Sequence, residues 1–418
     1  MNFKKTVFLS GLSTIVKLLS GLVINKIIAI YIGPAGIGLI GQFQNFLAII
    51  TTVGNGAINS GVTKYVAEYN EIESKRRNDL ISSAFLIAFV CSIIVGLITI
   101  IGSAFFSQLI LQTKEYSSIF KYLGITLIFI SFNSIFLSIL NGLKEIKTYI
   151  IINIVSSIMS LIIMVYLTVE YGILGALFSL VIVQSLILLI TIIAYKKIKL
   201  NLTFTINKNF NKIYYQKLLA FSLMTFVAVI SGSATQILIR NHIINYFSIV
   251  EAGYWQSVWM ISTMYLLIIT TAFSTYYLPR LSEIHILSEL RKEIITGYKV
   301  ILPFVFIAAL SIYLLRDIII LILFTPAFNS MRNLFAYQMI GDFFKMASWS
   351  LAFLMIAKAK TKLYILTEII FSVTLYILTM IFMNISGLVG VTHAYALNNL
   401  LYLITMCITF KNIIFIKK

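Results

Sequence analysis

Charge is scarce in this sequence. Asp, Glu, Lys and Arg make up 11% of its 418 residues and apolar side chains 60%, where an ordinary soluble domain carries about 25% charged residues. A water-soluble globular fold is excluded. Cysteine is scarcer still: Cys91 and Cys407 both fall inside apolar runs, so they read as small packing residues and suggest neither a disulfide nor a metal cluster. The three histidines, His242, His285 and His393, are scattered without ligand spacing, so no metal and no other cofactor is expected. No glycine-rich loop runs into Lys-Ser or Lys-Thr, which excludes a nucleotide-phosphate cradle of that kind and makes ATP hydrolysis by this chain unexpected.

What is present is hydrocarbon. Apolar runs of about 20 residues recur from end to end, each long enough to cross a ~30 Å layer as a helix, and none alternates with the two-residue period of a membrane barrel. About twelve spans are expected, near 8–31, 40–63, 80–104, 119–141, 149–169, 173–195, 218–241, 254–278, 297–315, 333–357, 363–384 and 388–410. The chain is therefore expected to be an all-α polytopic membrane protein. The basic start "MNFKKTVFLSGLS" looks like the front of a secretion signal, but the apolar run continues without a small-residue cleavage site and reads as a retained first span.

The formal net charge of +18 invites a nucleic-acid reading, which the positions of the 32 basic residues oppose. With a cytoplasmic amino terminus, three quarters of them fall on inner segments, including Lys75, Arg76, Arg77 and six lysines between 196 and 217. Outer segments keep only Lys114, Lys121, Arg316 and Arg332, and Lys17, Lys26, Arg240 and Lys345 lie within spans. This positive-inside asymmetry places both termini in the cytoplasm and leaves no basic excess for nucleic acid.

The halves repeat weakly at an offset of about 215 residues. "AGIGLIGQFQNF" from Ala35 parallels "AGYWQSVWMI" from Ala252, "KRRNDL" at 75 parallels "LRKEII" at 290, and "LKEIKTY" at 143 parallels "AKAKTKLY" at 357. An even number of spans per half keeps matched segments in one orientation, as parallel repeats about an axis along the membrane normal. The expected organisation is a six-helix lobe over 1–196, a basic cytoplasmic linker over 197–217 and a second six-helix lobe over 218–418. Such lobes enclose a central cavity, which points to transport. A membrane polysaccharide polymerase or glycosyltransferase is the competing class. It needs carboxylates on a large loop or soluble domain, whereas the external connections here are short and hold only Glu115, Glu170, Glu251 and Asp317 as acids.

Four stretches, "STIVKLLSGLVINKIIAIYIGPAGIGLIGQFQNF", "SGVTKYVAEY", "FTPAFNSMRNLFAYQMIGDFFKMAS" and "LMIAKAKTKLYILTE", resemble the Wzx family of polysaccharide flippases. The likeness is greatest to the enterobacterial common antigen and O-antigen types, and runs over essentially the whole chain. The resemblance implies the twelve-span plan of the MOP (multidrug/oligosaccharidyl-lipid/polysaccharide) exporter superfamily, which also holds multidrug exporters and the peptidoglycan lipid flippase. The implied activity moves an undecaprenyl-pyrophosphate-linked oligosaccharide from the cytoplasmic to the periplasmic leaflet of the bacterial inner membrane. A polysaccharide polymerase and a chain-length regulator are the implied partners, alongside membrane lipid. A multidrug exporter of the same superfamily is the second transporter reading. It favours a carboxylate-rich cavity, against which Lys17 argues.

Carrying a diphosphate through hydrocarbon requires a water-accessible groove with fixed cations. Lys17 lies near the middle of the first span, where an unpaired charge costs about 3 kcal/mol on insertion scales, and it shares a helix face with Ser13, Ser20 and Gly21. The bland alternative ties it to a carboxylate of another span. Lys26 is on the opposite face and near the outer end. It either snorkels to the interface or, with Arg240 at a similar depth in the seventh span, forms a cationic pair for the departing diphosphate. In "GDFFKMASW", Asp342 and Lys345 are one helical turn apart; they either neutralise each other or leave Asp342, or Glu368 in the next span, to titrate during an ion-coupled cycle. Trp255 and Trp259 read as an interfacial aromatic belt or as platforms for sugar rings.

Overall fold

The computed structural model describes residues 3–70, 74–197, 212–284, 286–358 and 360–414; most of the basic linker expected over 197–217, with Lys417 and Lys418, lies outside them. Among the described residues the fold is helical, without strands. In chain order the helices are α1 (Phe3–Tyr31), α2 (Gly33–Gly54), α3 (Asn59–Asn70), α4 (Ser74–Ile101), α5 (Ser103–Leu111), α6 (Ser117–Gly142), α7 (Ile146–Lys197) and α8 (Lys212–Tyr246). They continue as α9 (Ile249–Ala272), α10 (Leu278–Glu283), α11 (Leu287–Leu314), α12 (Arg316–Leu323), α13 (Phe335–Ala357), α14 (Thr361–Ser386), α15 (Gly390–Thr409) and α16 (Lys411–Ile414). A π-helical turn, Phe273–Tyr277, joins α9 to α10, and a 3₁₀ stretch, Pro326–Leu334, leads into α13.

Nine stretches among the described residues are long and apolar enough to cross a membrane. Two of them are divided. Gly172 (φ 57°, ψ −134°) breaks α7, and Gly387 (φ 62°) separates α14 from α15; a left-handed backbone is strained for residues with a Cβ and open to glycine.

The second expected span is displaced. α2 begins at Gly33, because Gly33 turns the chain at φ 74° and Pro34 occupies the first helical turn, where its missing N–H leaves nothing unpaired. It ends at Gly54 instead of running on to 63. Asn55 holds the break, accepting the Ala57 N–H on Oδ1 at 2.9 Å and donating from Nδ2 to Ser134 Oγ at 3.3 Å, while Gly56 and Ala57 take positive φ.

The chain packs as two units. The first comprises residues 1–32 and 39–234, the second 33–38 and 235–418. In the first unit α4 crosses α6 at a glycine pair: a Cβ on Gly96 would stand 2.6 Å from the Gly124 carbonyl oxygen, so bulk there would force the backbones apart. Beside that crossing Ile58, Val62, Leu80, Ala84, Ile135 and Ile139 form a closed core. In the second unit α13 packs against α15 and α11, and α14 against α15, around Leu266, Phe273, Leu290, Leu351, Met355 and Met406. Large apolar side chains remain on the outside, with Ile101 84%, Ile385 72% and Leu321 70% exposed. A surface of that kind belongs in lipid.

Candidate functional site

The polar centre of the second unit is built by α9, α13 and α15. Asp342, fully buried on α13, accepts the Tyr395 hydroxyl of α15 on Oδ1 at 2.9 Å and the Tyr265 hydroxyl of α9 on Oδ2 at 2.9 Å. Gln338, one turn earlier on α13, reaches Oδ1 from Nε2 at 3.5 Å. A carboxyl in this position is costly unless its oxygens are matched by donors, and each oxygen has its own tyrosine. Three helices are thereby tied to one side chain.

Lys345 lies one turn beyond Asp342. Its Nζ stands 5.2 Å from the Trp259 ring centre, 5.0 Å from that of Trp349 and 5.9 Å from that of Tyr395, an aromatic cage for a cation. Trp259 meets Tyr395 edge to face at 5.3 Å. Among the described residues no ion pair within 4.0 Å joins Asp342 and Lys345, although Lys345 feels the charge of both Asp342 and Glu368. Tyr395 is shared, its hydroxyl on the carboxyl and its ring on the ammonium.

A second cationic position sits between α8 and α9. Arg240 has no exposed surface, donates from its guanidinium to Oε1 of Gln256 and lies 5.3 Å above the Trp255 ring. Trp255 is itself buried at 2% exposure, in ring contact with Trp259.

In the first unit, Leu12, Ile15, Leu19, Val23 and Ile30 of α1 are exposed and form one stripe at helical spacing, with exposed Tyr31 off it at the helix end. Lys17 is exposed on the side roughly opposite that stripe, next to buried Ser20. Lys26 is half-buried and falls on the side of the stripe.

The structure thus brings Asp342, Lys345 and Trp259 into one cluster with Glu368 in electrostatic reach, and puts Arg240 on Trp255. Sequence reasoning missed Tyr265, Tyr395, Trp349, Gln338 and Gln256. A signal existed for Tyr395 in "VTHAYALNN", a polar run inside an apolar span.

Comparison with known proteins places the chain among transport proteins. A family model described as "Polysaccharide biosynthesis protein" matches residues 3–285. The chain is 29% identical over 414 residues to the Lipid III flippase of Escherichia coli (strain K12), covering 97% of this chain and 98% of that one, and the Lipid III flippase of Shigella flexneri matches to the same extent. Among solved structures, an inward-facing multidrug resistance MATE family transporter of the MOP superfamily superposes with a TM-score of 0.77 at 14% identity, over 96% of this chain and 95% of that one. The Lipid II flippase MurJ in an inward closed conformation gives 0.70 at 19% identity, over 97% and 87%. The architecture is thus the MATE- and MurJ-like helical fold expected from the sequence.

Proposed function

The chain belongs to the polysaccharide biosynthesis protein family, and from that premise we propose that it flips a lipid-linked oligosaccharide from one leaflet to the other by alternating access. The observation that carries this reading is the near-full-length likeness to the Lipid III flippases. The finer assignment is an undecaprenyl diphosphate carrier bearing an O-antigen or enterobacterial common antigen repeat unit, moved to the periplasmic leaflet of the inner membrane without a catalytic step. Polymerase and chain-length regulator act on the product. The topology that goes with it has both termini cytoplasmic and twelve spans: the nine apolar stretches, two of them divided at Gly172 and Gly387, together with α9.

Lys17 is the first anchor for the diphosphate. What supports this is its exposure away from the lipid-type stripe of α1, where a cation faces water or substrate and not hydrocarbon. Arg240 serves a later stage of the cycle, since it is sealed by Gln256 and Trp255 in this conformation, whereas Lys26, on the side of the stripe, snorkels to the interface. Trp259 is the better placed of the two tryptophans for a sugar ring, being half-buried where Trp255 is enclosed. The cycle draws on an ion gradient through Asp342, with Lys345 and Glu368 setting the local field.

The test is reconstitution. Purified protein in vesicles carrying a fluorescent diphosphate-linked oligosaccharide should expose that headgroup to an external glycosidase faster than protein-free vesicles, and an imposed pH or sodium gradient should accelerate it. Headgroup exposure at the protein-free rate, with folded protein present, rules the reading out.

A further inference from the structure

On the surface of the second unit a cavity of about 510 Å³ opens between α11 and α13. Phe306, Leu310 and Tyr313 line it from α11, Phe343 and Phe344 from α13, and small Ala336 leaves the room between them. The groove begins one turn after Pro303, which cannot bond the Lys299 carbonyl and disturbs the helix there. Phe306 and Leu310 are 57% and 44% exposed, so the groove is open on a side that a membrane span turns to lipid.

Its far end is marked by a cation. Arg316, first residue of α12, donates from its guanidinium to the Tyr313 carbonyl at 2.8 Å and lies 4.4 Å over the Tyr313 ring. One tyrosine therefore lines the groove and carries the charge. Neighbouring Arg332 is engaged by Asp317 at 3.0 Å, but among the described residues no carboxylate lies within 4.0 Å of Arg316. The charge asymmetry of the sequence puts this end outside, where basic residues are few.

An apolar slot with one unmatched guanidinium at its interfacial end fits an amphiphile with a long chain and a single phosphate charge. A diphosphate would set more negative charge against one arginine with Asp317 beside it. A zwitterionic headgroup would bring its ammonium to the guanidinium. We propose that this groove is a binding site for one anionic phospholipid of the outer leaflet, with an acyl chain between α11 and α13 and its phosphodiester on Arg316. The occupant presses on α13 from the lipid side, on the helix whose next residues, Asp342 and Lys345, form the buried polar centre.

Native mass spectrometry of the full-length protein in mild detergent tests this without any transport assay, using phosphatidylglycerol and phosphatidylethanolamine of equal chain length as probes. One phosphatidylglycerol should be retained in preference by about fivefold, the effect of one basic residue at a charged surface. Arg316→Gln, at a partly exposed position, should bring that ratio close to one. Ala336→Phe, which fills the groove, should abolish retention of either lipid; thermal melting of both variants checks that they fold, and Arg316→Gln decides alone if Ala336→Phe does not. Equal retention of the two lipids by the unaltered protein, an unchanged ratio in Arg316→Gln, or a retained mass matching a polyprenyl diphosphate lipid each overturns the proposal. None of these outcomes depends on whether the chain flips a lipid-linked oligosaccharide.

Discussion

Tyr395 bonds Oδ1 of Asp342 at 2.9 Å through its hydroxyl and faces the Lys345 ammonium at 5.9 Å with its ring. A single residue of α15 thus reads both charged groups of α13. Any movement of α15 against α13 alters the environment of the carboxyl and the ammonium together. If the proposed cycle runs through Asp342, a helix shift would be coupled to the state of the carboxyl by that arrangement.

The first prediction follows from the tyrosines. A hydrogen bond to a charged or ionisable buried group is worth about 1.5–3 kcal/mol, so Tyr265→Phe and Tyr395→Phe should each lower the melting temperature. Tyr395→Phe should also reduce gradient-driven flipping more than passive exchange down a substrate gradient. The double variant should lose more than the sum of the singles, because both carboxyl oxygens of Asp342 then lose their tyrosine donor. Additive melting losses with driven transport intact would reduce the tyrosines to packing residues.

Lys345 gives the second. Its partners are ring faces, so Lys345→Arg should keep the cage filled and charged, since guanidinium also stacks on aromatic rings. Lys345→Met should preserve stability to within about 2 kcal/mol, the upper range for a desolvated cation–π contact, because the thioether packs well on aromatics. If the ammonium sets the field around Asp342, the Met variant folds but loses driven transport while the Arg variant retains it. If Lys345 serves only to neutralise Asp342, the double replacement by Asn and Met restores transport that Lys345→Met alone has lost.

Sequence and structure divide unevenly here. Lys17 stood out as a candidate because cations are rare in apolar runs, whereas the break after Gly54 was not legible: one span was expected to run on to 63, yet Gly-Asn-Gly ends the helix. Nor were the partners of Asp342. Lys345 at i+3 looked like its counter-ion, but two hydroxyls from other helices reach the carboxyl oxygens and three rings take the ammonium, and such choices are made by tertiary packing. Tyrosine is common in this chain, with 23 copies, so nothing in the local pattern distinguishes Tyr265 from the rest, and only the polar run "VTHAYALNN" marks Tyr395. The start of α2 was missed for a local reason: Gly33 and Pro34 look like a loop and act as a helix start.

A third prediction concerns Gly253 of α9. A Cβ built there would overlap the carbonyl oxygen of Pro34, and one on Gly38 would lie 3.1 Å from the Gly253 nitrogen. All three residues belong to the second unit. Gly253→Ala should therefore reduce folded yield strongly, with overpacking costs of about 1–3 kcal/mol or more. Gly232→Ala, which meets nothing within 4 Å, should leave yield and melting temperature unchanged or slightly raised, alanine being the better helix former. Fluorescence-detected size-exclusion profiles after heating separate the two.

The last prediction returns to Lys17. Being exposed and set away from the apolar stripe of α1, it contributes little to packing, and Lys17→Ala should change stability by no more than about 0.5 kcal/mol, as for other surface substitutions. A role in holding phosphate makes a different demand, since the charge must remain. Lys17→Arg should then keep much of the polysaccharide export of a flippase-deficient strain, Lys17→Ala should lose it, and Lys17→Gln should follow Ala despite its similar length. A merely structural lysine would show the reverse pattern, with Gln tolerated and the loss in Ala tracking lost protein. Export measured against membrane-inserted protein distinguishes them, and normal export by the Ala variant at native expression removes Lys17 from the substrate path.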